Sequence, residues 1–198
     1  YHINEAPNVF YDLVIIGTPP DSHISLAHQE IDKGSKAILI EKPAATPDLK
    51  GVQELFDASK INFCKVFVGY DHVVGKSAKQ MSLMLEKNSI GKLQTLDVEF
   101  REYWGGIFEA HPWLNGPQDS YLGFWKRGGG ACGEHSHAIN LWQHYARIAG
   151  MGKVIEVNAN FEYINDGILD YDRLCLLNLK TETGFIGRVV QDVITAPT

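Results

Sequence analysis

Two groups of side chains in this 198-residue sequence have the types and spacing to do chemistry. The first is Glu41-Lys42-Pro43, which follows the apolar run Ala37-Ile38-Leu39-Ile40. A lysine at the end of a buried strand can polarise a hydroxyl or carbonyl oxygen, or hold the anionic part of a ligand. Pro43 fixes the backbone after it, and an X-Pro bond at such a place can be cis. The same Glu-Lys pair is also what an ordinary solvated strand end looks like, and a tripeptide alone does not separate the two. The second group is Glu134 and His137, in a stretch that follows Gly128-Gly129-Gly130. Residues i and i+3 share one helix face, so a helix running from the glycines to about Ala149 would present both together, with Asn140 one turn further on. A histidine suits proton exchange near neutral pH. The glycines would let the backbone approach a ligand closely, and a helix start favours an anion.

These residues need elements to position them. Residues 12–17 form a short apolar run closed by Gly17-Thr18-Pro19-Pro20, the pattern of a strand buried on both faces. A helix capped by Asp21 or Ser22 follows, with Ile24, Leu26, Ala27 and Ile31 inward and Gly34 at its end. The strand Ala37–Ile40 is next. Thr46-Pro47 signals a second helix, with Leu49, Val52, Leu55, Phe56 and Ala58 inward. A third strand runs from Lys65 to Gly69. Strand–helix–strand repeats of about 30 residues predict a parallel sheet with right-handed crossovers. Ligands of such sheets sit beyond the carboxyl ends of the strands, where Thr18, Pro19, Pro20, His23 and Glu41-Lys42-Pro43 lie.

After Asp71 the pattern changes. A helix is expected over 77–87, then a strand around 96–100, then an aromatic stretch of little periodicity over 103–127. Three alternating strands follow, at roughly 153–164, 172–181 and 185–194, the last two joined through Glu182-Thr183-Gly184. The fold class read from this order is α/β: the second half of a doubly wound parallel sheet (1–71), then an α+β unit with an open, largely antiparallel sheet and helices on one side (72–198).

The net charge of -6 argues against a nucleic-acid or anionic-membrane surface. No apolar run reaches the ~18 residues of a membrane helix, and residues 1–8 do not read as a signal peptide. Cys64, Cys132 and Cys175 are far apart and odd in number, so they are expected reduced, in the cytoplasm. No G-x-S-x-G elbow is present for a serine hydrolase.

The ordered set of motifs resembles one family. Asp12 to Pro43 resembles the stretch of the Gfo/Idh/MocA oxidoreductases (glucose–fructose oxidoreductase, inositol dehydrogenase) that reads strand, Thr-Pro, a spaced His, a helix and Glu-Lys-Pro. Val68-Gly69-Tyr70 resembles the next strand end of that family. Ser89-Ile90-Gly91-Lys92 resembles its turn into the large sheet, and Gly128 to Leu141 its glycine-rich helix start. The resemblance implies hydride transfer between NAD or NADP and a secondary hydroxyl of a sugar, cyclitol or sugar derivative. Lys42 would polarise the oxygen, His137 would exchange the proton, and Glu134 would support it. Thr18, Pro19, Pro20, His23, Glu41, Lys42, Pro43, Tyr70, Trp125 and Arg127 would face the cofactor. Lys42, His111, Tyr121, Glu134, His137 and Asn140 would face the substrate. The sequence departs from the family's habit at Glu134, where Asp is more frequent, at Asp71, where Asn is frequent, at Asn140, where Asp is frequent, and in the spacing from Glu134 to His137. It also contains no G-x-G-x-x-G, which the family carries on a first strand expected to precede Tyr1. The competing expectation is a non-catalytic relative of the same fold, serving as a sensor or scaffold.

Two further readings stay open. Tyr103, Trp104, Phe108, Trp113, Tyr121, Phe124 and Trp125 could wall a substrate site or pack into a core or a subunit interface. Apolar Leu174, Leu176 and Leu177 suit a homodimer or homotetramer joined through the second sheet. Cys132, His135 and His137 can be considered as metal ligands. On one helix His135 and His137 point about 200° apart, so no metal is expected.

Overall fold

The structure is a computed structural model that describes residue 7 and residues 9–196. What was read from residues 1–6, 8, 197 and 198 lies outside the described residues. The chain divides into two compact units, Tyr1–Gly69 and Tyr70–Thr198.

In the first unit three parallel strands, β1 (Val14–Ile16), β2 (Ala37–Ile40) and β3 (Lys65–Val68), lie in the order β1-β2-β3. They are joined by helices α1 (Pro20–Asp32) and α2 (Val52–Ile61). Strands adjacent in sequence and in space, with crossovers of one hand, put both helices on one face. Ile16, Ile38 and Ile40 are buried there with Ala27, Ile31 and Leu55. The expectation of strands buried on both faces therefore fails. Ile15, Leu39 and Phe67 stand in register on the opposite face, where Ile15 is 68% and Phe67 55% exposed.

Both helix starts also differ from expectation. The N-cap of α1 is Pro19, with Pro20 at the first turn and no side-chain cap. The Ser22 hydroxyl instead donates to the Pro19 carbonyl oxygen, 2.8 Å away. Thr46-Pro47 opens a turn rather than α2. Asp48 Oδ1 accepts from the Thr46 hydroxyl at 2.7 Å and from the Lys50 amide at 3.2 Å, which curls the chain through Leu49 and a left-handed Gly51 before the helix begins. Leu49 and Phe56 are exposed as a result.

The second unit holds a four-stranded sheet of order β4-β7-β6-β5: β4 (Leu96–Arg101), β5 (Val154–Asn165), β6 (Asp170–Thr181) and β7 (Ile186–Asp192). β4 runs parallel to β7, and the other pairs are antiparallel. Four helices accompany it: α3 (Lys76–Glu86), α4 (Trp104–Ala110), α5 (Gly130–Glu134) and α6 (His137–Ile148). Cys175, Leu177 and Leu179 of β6 and Val189 of β7 form the inward face, against Ala138, Trp142 and Ala146 of α6. Trp142 is fully buried, and its indole N–H donates to the Leu96 carbonyl at 2.8 Å, which ties α6 to β4. The outward face carries ion pairs between neighbouring strands, Arg188–Asp97 at 2.9 Å and Lys180–Glu156 at 3.1 Å. The aromatic stretch includes one helix, α4, which the aperiodic sequence did not announce. The single helix expected from the glycines to Ala149 is two, broken at His135-Ser136. Among the described residues no helix is long and apolar enough to cross a membrane.

Candidate functional site

In the first unit the chemistry lies at the carboxyl ends of the strands. β1 ends at Ile16, and the chain turns through Gly17-Thr18-Pro19-Pro20 into α1. An added Cβ at Gly17 would meet nothing within 4 Å, so this strand end has room beside it. Thr18 Oγ1 and Ser22 Oγ share a hydrogen bond of 2.6 Å. β2 ends at Ile40, and Glu41-Lys42-Pro43 follows with a cis Lys42-Pro43 peptide bond. The Glu41 amide donates to Ile16 O at 2.9 Å, and the Gly69 amide to Ile40 O at 2.8 Å, which continues the ladder one residue past the strands. Lys42 is half-buried beside these strand ends.

His23 has a different place from the one expected of a cofactor contact. Its side chain is fully buried, with Nε2 2.6 Å from Thr18 O and Nδ1 3.0 Å from Pro43 O. It bridges the Thr-Pro-Pro turn and the Glu-Lys-Pro turn from beneath. Both partners are acceptors, so a neutral ring donates to one of them at a time. His23 is thus a positioning residue: it sets the spacing of the two loops whose outer residues could meet a ligand.

In the second unit the glycine run is shaped by the protein itself. A Cβ on Gly130, whose φ is +79°, would lie 2.0 Å from Asp172 Oδ1, and one on Gly129 would lie 2.2 Å from the Tyr121 carbonyl oxygen. The anion at the start of α5 is also the protein's own: Asp172 Oδ2 accepts from the Cys132 amide at 2.7 Å. Burial drives the Asp172 carboxyl up to about 6, against the pull of the backbone amides of Cys132 and Asp172 itself. The glycines are needed for this close packing, which corrects the expectation that they and the helix start face a ligand.

Glu134 ends α5 and His137 begins α6. They lie on either side of a helix break, so the argument from i and i+3 on one helix does not apply. Glu134 Oε2 accepts from the Tyr121 hydroxyl at 2.6 Å. His137 has an aromatic surround, stacked on Phe100 (5.8 Å) and edge-on to Tyr70 (5.9 Å) and His72 (4.2 Å). Its Nδ1 is 3.6 Å from Asp71 Oδ1. Phe100 also stacks on His135, so the two imidazoles share one ring instead of pointing apart. The Tyr70 hydroxyl, pushed up by burial, donates to Ser136 Oγ at 3.4 Å. Asn140, one turn along α6, has a buried Oδ1 with no hydrogen-bond partner among the described residues, which is where a water or ligand donor would fit.

Several expected ligand contacts are engaged within the second unit. His111 Nδ1 lies 2.7 Å from the Ile107 carbonyl oxygen at the end of α4, and its ring packs on Trp113. Tyr121 serves Glu134. The Trp125 indole N–H donates to Asp170 at 3.1 Å, at the start of β6. Arg127 is half-buried in the same 3-10 turn, Trp125–Arg127. Sequence reasoning missed Asp172 and the Asp71-His72 pair. Asp172 gave no signal, since its strand also carries Asp170, Arg173, Asn178 and Lys180. For Asp71-His72 the signal was two adjacent ligand-type residues directly after Gly69-Tyr70.

The parallel sheet whose strand ends carry Thr-Pro-Pro and Glu-Lys-Pro has a Rossmann-type arrangement, and an open mixed sheet follows it in the chain. Residues 3–70 match the model of the Gfo/Idh/MocA family, described as an oxidoreductase family with an NAD-binding Rossmann fold. No curated protein matches it. Among solved structures it is similar to GenD2 from gentamicin A biosynthesis in complex with NAD (18% identity, TM-score 0.76, 94% of this chain and 49% of that one). It is similar to an inositol dehydrogenase homologue from Azotobacter vinelandii complexed with NAD+ (16%, 0.74, 94% and 47%). It is also similar to the WlbA dehydrogenase from Chromobacterium violaceum in complex with NADH and UDP-GlcNAcA (19%, 0.76, 94% and 50%). At these identities the likeness is one of fold, and the chain spans about half the length of these structures.

Proposed function

We propose that the whole protein oxidises a secondary hydroxyl of a sugar, cyclitol or sugar derivative, reversibly, with NAD or NADP as the hydride acceptor. The observation that carries this reading is Lys42, set at the carboxyl end of a parallel strand in the unit that matches an NAD-binding family. The open space at Gly17 and the two strand-end turns tied together by His23 fit a dinucleotide laid across the strand ends. A nicotinamide nucleotide held there would supply the hydride acceptor.

The remaining work falls to side chains. The Lys42 ammonium donates to the reacting oxygen and stabilises the negative charge that develops there. His137 takes the hydroxyl proton as the carbon–hydrogen bond breaks, so that one hydride and one proton leave and a ketone forms. Glu134, fixed by Tyr121, and Asn140 hold substrate hydroxyls. Thr18, Pro19, Pro20, Glu41 and Pro43 contribute backbone and wall at the cofactor. Tyr70, Trp125 and Arg127 are the second unit's candidates for cofactor contacts, and His111, whose Nε2 is left over from its bond to Ile107, is a candidate for a substrate contact. Exposed Ile155, Val157, Phe161 and Tyr163 of β5, with Leu176 of β6, supply an apolar surface for a homodimer or homotetramer, which light scattering on the purified protein would measure.

The test is Lys42→Ala in the whole protein. Turnover should fall by roughly 10²–10⁴ fold, with nicotinamide nucleotide still bound. Unchanged turnover removes Lys42 from the mechanism. The absence of any nicotinamide absorbance change across a broad polyol panel, in a protein that binds the nucleotide, overturns the reaction itself.

A further inference from the structure

The geometry points to a divalent metal site in the second unit, made by Asp71, His72 and His137, of the kind that takes Zn2+. Each of the three offers one ligand atom, and these atoms all lie within 4.8 Å of one another. One pair, His137 Nδ1 and Asp71 Oδ1, is 3.6 Å apart. Two ligand atoms on a tetrahedral zinc with bonds of about 2.0–2.1 Å stand roughly 3.4 Å from each other. This pair is therefore already spaced for a shared ion. The third ligand atom, on the exposed His72 side chain, lies within 4.8 Å of both.

The three come from two elements that hold them differently. Asp71 and His72 open the 3-10 turn Asp71–Val74, while His137 is the first residue of α6. The His137 side chain is 12% exposed and wedged against Phe100 and Tyr70, so its nitrogen has a fixed address. His72 rests on Phe100 at 5.3 Å and meets His137 edge-on at 4.2 Å. Asp71 is 77% exposed, so solvent can reach the ion and complete its coordination. Two imidazoles and one carboxylate suit zinc and the later first-row metals rather than magnesium or calcium. The positive end of the α6 dipole opposes a cation at this place, and the Asp71 carboxylate supplies the opposite charge. Packing of aromatic rings alone would account for His72 against His137, but not for a largely exposed carboxylate held over the imidazole nitrogen.

The site rests on this ligand geometry and does not require the proposed reaction. One consequence does rest on it. With a metal on Nδ1 the ring's remaining proton sits on Nε2, so His137 has no lone pair left for a substrate proton. Zinc binding and proton exchange at His137 then exclude each other.

The experiment is binding, independent of turnover. The protein is dialysed against Zn2+ and then against metal-free buffer, and retained zinc is measured by mass spectrometry. Co2+ titration, read by its visible d–d absorption, reports the ligand set. The expected result is one equivalent retained by the unaltered protein and at least tenfold weaker Co2+ binding in His72→Ala and in Asp71→Ala, with unchanged circular dichroism. Both positions are exposed, so neither substitution opens a cavity in the core. Retention well below one equivalent overturns the site. So does equal binding by the His72→Ala protein, which would place the metal elsewhere.

Discussion

Replacing Asp172 by asparagine removes a carboxyl group that the second unit keeps 2% exposed under the start of α5. Burial raises this carboxyl from its ordinary 3.8 to about 6, more than the amide hydrogen bonds from Cys132 and Asp172 can offset. Between those two values the folded protein holds a proton that the unfolded chain has released. Stability must therefore fall as pH rises through this window, and level off above about 6. At 1.36 kcal/mol for each pH unit, the gap corresponds to about 3 kcal/mol. Asparagine has no proton to lose, yet its carbonyl oxygen can still accept from the Cys132 amide. The assay is urea unfolding of both proteins from pH 4 to pH 8. Their difference in stability should shift by about 3 kcal/mol toward the variant, with all of the change between about pH 4 and 6. Other titrating groups cancel in that difference. Two curves that stay parallel across the range, or a shift toward the wild type, would refute the argument. Either result would mean that the Cys132 amide outweighs desolvation and that Asp172 is ionised at little cost.

Gly130→Ala should destabilise the second unit by on the order of 3 kcal/mol, since its Cβ would fall 2.0 Å from Asp172 Oδ1 at a φ of +79°. Thermal unfolding would read this, and an unchanged midpoint would disprove the close packing. His23→Leu should cost about 1–3 kcal/mol in urea unfolding, because it strips the donor from the Thr18 and Pro43 carbonyls. It should also weaken nicotinamide nucleotide binding, followed by NADH fluorescence, since the two strand-end turns lose their tie. Undiminished nucleotide affinity would mean that the turns hold their spacing without it.

The parallel strands were legible because Leu39 and its neighbours make short apolar runs ended by Gly or Pro, and strand–helix–strand spacing leaves few topologies. The departures have local or long-range causes. Thr46-Pro47 carries every mark of a helix start, yet the Asp48 carboxylate captures the Thr46 hydroxyl and the Lys50 amide, and a side-chain turn wins over the helix. Gly128-Gly129-Gly130 looked like a ligand cradle because its real partner, Asp172, lies some forty positions on. The direction of Asp172 could not be read from alternation either. Counting back by twos from inward Leu179, Leu177 and Cys175 puts Arg173 inward and Asp172 outward. A register shift, where Glu162 pairs with Leu174 but Tyr163 with Asp172, skips one residue and reverses the phase.

The two units solve the same problem in the same way. Each carries a loop with reactive side chains, and each sets a buried polar group beneath that loop where the sequence suggested a ligand contact. In the first unit this group is His23, whose ring nitrogens lie against the carbonyls of Thr18 and Pro43 and donate to one of them at a time. In the second it is Asp172, which satisfies the Cys132 amide two residues before Glu134. A buried polar group left without a partner is costly, so each can be kept only where its loop stays in place. That makes loop geometry and unit stability one quantity. Changes at Lys42 or His72, on the outer side, should alter chemistry and spare folding, whereas changes at His23 or Asp172 should move both together. A typical list of polar residues near a strand end cannot separate these classes by residue type, because His23 and His137 are the same amino acid; their burial and their partners do.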